Sequence, residues 1–133
     1  MSVTIEQVKK VFHHLESGNQ ELFFKNVADD VNWKVMGTHP LAGDYHSKEN
    51  FISKTFQRLG LLMKDNLILE VNNILLQDDV AAVELEAKST TLNDSPFNNT
   101  YCWIVEFKDG LITNVRAYVD SALVQKVIDE NEK

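Results

Sequence analysis

The chain has 133 residues, 44% of them hydrophobic and 25% charged, with a formal net charge of −7 and a single cysteine, Cys102. That length carries one domain with its own core, one cysteine excludes an internal disulfide, and the acidic excess works against a nucleic-acid partner, which would need a basic patch. No run reaches the roughly 18 apolar residues of a membrane span, and the opening MSVTIEQVKK lacks a signal-peptide core, so the expected setting is the cytoplasm with no membrane partner.

Thr4 with Gln7 three residues on reads as a capping box. Ile5, Val8, Val11, Phe12 and Leu15 follow at helical spacing, and Gly18 and Asn19 end the pattern. A short helix is expected from Gln20 to Asn26, then a half-buried strand in which Val31, Trp33 and Val35 alternate with Asn32, Lys34 and Met36. Residues 37–46 read as a loop containing Pro40 and Gly43, and Ser47 as the cap of a third helix that buries Phe51, Ile52, Thr55, Phe56 and Leu59.

From Leu67 the period changes to two, predicting strands at about 67–76, 80–91, 100–107 and 111–119. Asp78-Asp79 and Asp109-Gly110 are turn signals between neighbours, and residues 93–99 a longer connection. A last helix is expected from Ser121 to about Glu130. Helices first, then an antiparallel run of strands, then a helix indicate α+β in one domain. Three helices can cover the apolar face of the sheet, and a bend in the sheet would leave a cavity between the two layers.

On the last strand Arg116, Tyr118 and Asp120 share parity with Ile112 and Asn114, opposite Val115, Ala117 and Val119. Parity leaves two options for the polar face: a wet pocket wall, or a solvated or dimer-facing surface. Asp120 directly precedes a helix, where Asp is a favoured N-cap. Trp33, Tyr101, Trp103, Val105 and Phe107 form apolar rows suited to a core or to stacking on a flat ring. His39 and His46 flank Asp44 at a spacing that matches no established metal pattern, so no metal is expected. The sequence has no phosphate-binding glycine loop and no nucleophile elbow, and no cofactor is expected.

Two segments, VNWKVMGTHPLAGDYHSKENF (31–51) and NTYCWIVEFKDGLITNVRAYVDSALV (99–124), carry a family likeness: a strand with a tryptophan, a Gly…Pro-Leu-Ala-Gly-x-Tyr loop and a helix, then an aromatic strand, an Asp-Gly turn and a strand ending Arg-x-Tyr-x-Asp. In this the chain resembles the SnoaL-like branch of the NTF2-like superfamily, in matching order over nearly its whole length. The resemblance implies a cone-shaped fold, N-terminal helices packed on a strongly bent, mostly antiparallel sheet enclosing a pocket, and a homodimer through the outer sheet face.

It also implies a cofactor-free isomerase or cyclase acting on a small, apolar, ring-containing carbonyl compound. Asp120 stands at the place of the family's acid–base aspartate, and Tyr118 would be the donor beside it. Trp33, His39, Tyr45, Trp103 and Arg116 would contact the ligand. The likeness favours the pocket as the surroundings of Tyr118 and Asp120, with Glu84 or Glu86 as partner for a buried Arg116. Two departures stand: the three roles of a ketosteroid isomerase cannot all be assigned, and Tyr118 replaces the second aspartate of the epoxide hydrolase pattern. A binding protein without chemistry, or an interaction module using Glu84, Glu86 and Lys88 on the outer sheet, are the alternatives.

Overall fold

A computed structural model describes residues 2–132. Helix α1 (Ile5–Glu16) opens on the expected capping box: Thr4 accepts from the Gln7 N–H, and the Gln7 side chain accepts from the Thr4 N–H. Its stripe of Val8, Phe12 and Leu15 is buried. Helix α2 (Gln20–Lys25), capped by Asn19, delivers Phe23 and Phe24 to the same interior and hands the chain directly to β1 (Val27–Val35). The strand therefore begins four residues before the alternating stretch that marks it in the sequence.

The loop after β1 contains a short strand, β2 (Gly43–Tyr45), that the sequence reading treats as loop. Ser47 caps α3 (Lys48–Phe51), as expected. The helix then widens into a π-helical turn, Ile52–Phe56, before α4 (Gln57–Gly60). The wide turn holds Phe51, Thr55, Phe56 and Leu59 on the buried side, and Thr55 Oγ1 donates to the Phe51 carbonyl at 2.7 Å.

Strands β3 (Leu69–Gln77), β4 (Val80–Ala87), β7 (Thr100–Lys108) and β8 (Leu111–Val119) follow the predicted spacing. The region expected as one strand to residue 91 stops at Ala87, and β5 (Ser89–Thr90) pairs instead with β6 (Pro96–Phe97) in a separate small ribbon. Asp109 and Gly110 both take positive φ, 53° and 81°, as their two-residue turn requires. Helix α5 (Ser121–Asn131) closes the chain.

Six strands form one curled sheet in the order β2-β1-β8-β7-β4-β3. All neighbours are antiparallel except β1 and β8, which run parallel. Register sorts the side chains into rows. The inner rows run Leu76, Ala81, Val105, Val115, Trp33, Tyr45 and, beside them, Ile74, Val83, Trp103, Ala117, Val35. Between sheet and helices lies an aromatic core in which Phe12, Phe23, Phe24, Trp33, Phe51, Phe56 and Trp103 meet edge-on, tilted or stacked.

One irregularity decides which face is which. Phe107 pairs with Ile112, but Glu106 pairs with Asn114, so Thr113 is an extra residue in β8. Thr113 Oγ1 donates to the Glu106 carbonyl across the bulge at 3.3 Å. Ile112, expected on the face of Asn114 and Arg116, is therefore turned inward and fully buried.

Candidate functional site

The inner face of the sheet, the π-helical turn, the loop after β1 and α5 enclose a cavity of about 50 Å³. Its wall is almost wholly carbon: Trp33 and Trp103 from the sheet, Phe51 and Phe56 from the helix, Leu41 from the loop and Val124 from α5. Trp33 is fully buried and stacks on Phe51 with ring centres 3.9 Å apart and planes 17° apart. Trp103 stands edge-on to Trp33 at 5.3 Å. No carboxylate, lysine or arginine lines the cavity among the described residues. A wider depression of about 850 Å³ between α1 and β3 is open surface, where Glu6–Lys9 and His13–Glu16 pair within the helix. Apolar, aromatic walls favour the small cavity over that depression as a ligand site.

The sequence-derived residues divide around the cavity. Trp33, His39 and Trp103 line it. Tyr45 is buried one step behind, packing edge-on to Phe51 and donating to the Leu41 carbonyl at 2.7 Å. His39 is buried in the loop with both ring nitrogens engaged. Its Nδ1 accepts from the Leu41 N–H at 3.2 Å, which puts the proton on Nε2, where it donates to the Met36 carbonyl at 3.1 Å. Desolvation holds the imidazole pKa below its ordinary value, against the opposing pull of the Met36 carbonyl. His39 is thus a neutral latch on its own loop, presenting only its ring to the cavity.

Arg116 and Tyr118 are not brought to the cavity. Ala117 and Val119 line it, so the alternating residues of β8 point to the outer face, where Arg116 is exposed and Tyr118 is 44% exposed. Arg116 pairs in register with Lys34 and Ile104, and Tyr118 with Cys102, which faces Glu84. The carboxylate partner expected for a buried Arg116 is not needed at an exposed position. Glu84 accepts instead from Asn73 at 3.2 Å.

Asp120 lies at the joint between two walls, directly after Val119 and four residues before Val124. Its Oδ1 accepts from the Leu123 N–H at 3.2 Å, the N-cap of α5. The residue is exposed, and its other carboxylate oxygen takes no hydrogen bond among the described residues. Fully buried Asn99, which sequence reasoning passed over, fixes the joint. Its Oδ1 accepts from the Asp120 N–H at 3.1 Å, and its Nδ2 donates to the Asp120 carbonyl at 3.4 Å. Gly37 seats the loop against the same joint: its φ of +105° suits glycine, and a Cβ there would lie 2.6 Å from Ser121 Oγ.

Two further polar groups belong to the wall. The Trp33 indole N–H is buried without a partner. Tyr101, expected only as part of an apolar row, lines the cavity, and burial pushes its hydroxyl well above the ordinary tyrosine range.

The SnoaL-like domain model matches residues 8–115. Dimerizing cyclase phiC of a fungal species is 32% identical over 116 residues, which is 82% of this chain and 50% of that protein. Dimerizing cyclase tstC of Talaromyces stipitatus is 28% identical over 120 residues, 87% of this chain and 53% of that protein. The chain thus spans about half the length of the curated relatives it matches. Among solved structures, an NTF2-like protein of Burkholderia thailandensis superposes with a TM-score of 0.78 at 18% identity, covering 92% of this chain and 95% of that one. TerC, crystallised with polyporic acid, gives 0.75 at 17% identity, covering 94% and 97%. At these identities the structures show a shared fold.

Proposed function

Because the chain belongs to the SnoaL-like domain family, we propose that it is a cofactor-free cyclase or isomerase acting by proton transfer on a small, apolar, ring-containing carbonyl compound. The observation that carries this is the aromatic, uncharged cavity on the inner face of the sheet, beside relatives that are cyclases. A hydrogen on the carbon beside a carbonyl is acidic enough for a positioned carboxylate to remove and return elsewhere. Asp120 is the carboxylate assigned to that task. It is held at the meeting of β8 and α5 with one oxygen uncommitted. Tyr118, pointing outward, is left out of the chemistry.

A ring compound needs several times the volume of the cavity, since ligand pockets run to roughly 300–1,000 Å³. Binding therefore widens it. The wall assigned to yield is the loop of residues 36–42, which bonds within itself from His39 to Met36 and Leu41 and from the Ala42 N–H to the His39 carbonyl, and is tied outward by the Met36 N–H to the Ala117 carbonyl and by the Tyr45 hydroxyl to the Leu41 carbonyl. The test is a thermal-shift screen of ring ketones and lactones, followed by turnover assays of the hits with wild type and Asp120→Asn. Loss of at least a hundredfold in turnover with binding retained supports the assignment, and unchanged turnover defeats it.

A second role, binding without chemistry, is favoured by one observation: no carboxylate lines the cavity. Hits that bind both proteins equally and yield no product would establish it. The surroundings proposed are the cytoplasm, consistent with an unpaired Cys102, and a homodimer through the outer sheet face, where Leu75 is 64% exposed beside Ala82 and Ile104.

A further inference from the structure

Each polar group around the cavity can be asked whether its hydrogen-bonding capacity is already used. His39 has spent both nitrogens on its loop, and Tyr45 and Thr55 give their protons to the carbonyls of Leu41 and Phe51. Two donors remain. The Trp33 N–H is buried without a partner, and the hydroxyl of half-buried Tyr101 is not used by any hydrogen bond described above. Tyr101 pairs in register with Leu85 and Val119, both hydrocarbon, so no side chain directly across the sheet can satisfy it. Its ring meets Trp103 edge-on at 6.1 Å, which fixes it in the wall. Tyr101 is half-buried and lines the cavity.

A hydroxyl that lines a ligand site can give its proton to an acceptor on the ligand, and a ligand without an acceptor forgoes that bond. We infer that the Tyr101 hydroxyl is the group that holds the ligand's carbonyl oxygen, so that the cavity selects a flat, uncharged ring carrying one acceptor over the same ring without it. The Trp33 N–H lies in the same wall as a second donor for an oxygen that enters as the cavity widens. This rests on the cavity being a ligand site, and it is independent of whether Asp120 performs chemistry.

The probes are 1-indanone and indane, two bicycles of similar shape that differ by one carbonyl oxygen. Calorimetric titration of the whole protein should give tighter binding of 1-indanone by about fivefold, the factor expected for one net hydrogen bond. Tyr101→Phe, which keeps the ring and removes only the hydroxyl, should abolish the preference while leaving indane binding unchanged. The infrared carbonyl stretch of bound 1-indanone should lie lower in wild type than in Tyr101→Phe. Equal binding of both probes to wild type, or a preference and stretch that survive in a folded Tyr101→Phe, overturns the role of Tyr101 while leaving the cavity a ligand site. If neither probe binds wild type, the ligand-site reading falls and the Tyr101 role with it.

Discussion

At the scale of single residues, His39 shows how a side chain that looks chemical can be fully occupied by structure. A neutral imidazole has one donor and one acceptor, and here the loop uses both. Protonation would put a hydrogen on Nδ1, facing the Leu41 N–H, and break the latch. The folded pKa is lowered mainly by desolvation, so the folded state binds fewer protons than the unfolded state near pH 6. Its contribution is complete above the unfolded value of about 6.5 and is lost as pH falls below it. Comparing melting temperatures of wild type and His39→Gln from pH 8 to pH 5 should show a gap that narrows in acid. A gap constant across that range would show that His39 does not titrate in the latch.

At the scale of elements, the joint between β8 and α5 is the part that positions Asp120, and Asn99 is its clasp. An asparagine side chain carries the same donor and acceptor as a peptide unit, so it can pair with the Asp120 backbone as a strand neighbour would. Asn99→Ala leaves a buried N–H and carbonyl unpaired and should cost about 1–3 kcal/mol in denaturant unfolding. A cost below about 0.5 kcal/mol would show that water replaces the clasp. The elements themselves were legible: capping residues marked Thr4 and Ser47, and period two marked the long strands. The face assignment was not. Counted from the Asp109-Gly110 turn, an unbroken hairpin would put Trp103 opposite Arg116, whereas Thr113 slips the register and brings Ala117 there instead. Nothing in the composition of β8 announces the bulge. Asn99 was missed because its partners are backbone atoms 21 positions away.

At the scale of the molecule, the sheet has two working faces, separated by the thickness of a strand. The inner face makes the core and cavity. The outer face presents the row Leu75, Ala82, Ile104, Arg116, Lys34, apolar at one end and basic at the other. Apolar surface of this kind is characteristic of an interface. Sedimentation of wild type should report a dimer, and Ile104→Arg, which sets a second cation beside Arg116, should report a monomer with unchanged circular dichroism. A wild-type monomer at tens of micromolar would exclude this face as a self-association surface.

The parallel pairing of β1 with β8 also bears on the order in which the chain can be made. Trp33 finds its sheet neighbour Val115 only once β8 exists. On a ribosome that partner emerges roughly 80 residues later, at 5–20 residues per second a wait of about 4–16 s. Until then Phe12, Phe23 and Trp33, all fully buried in the finished fold, lack the strand that completes the sheet around them. The last strand to be synthesised is thus the one that joins β1 and β2 to the rest of the sheet.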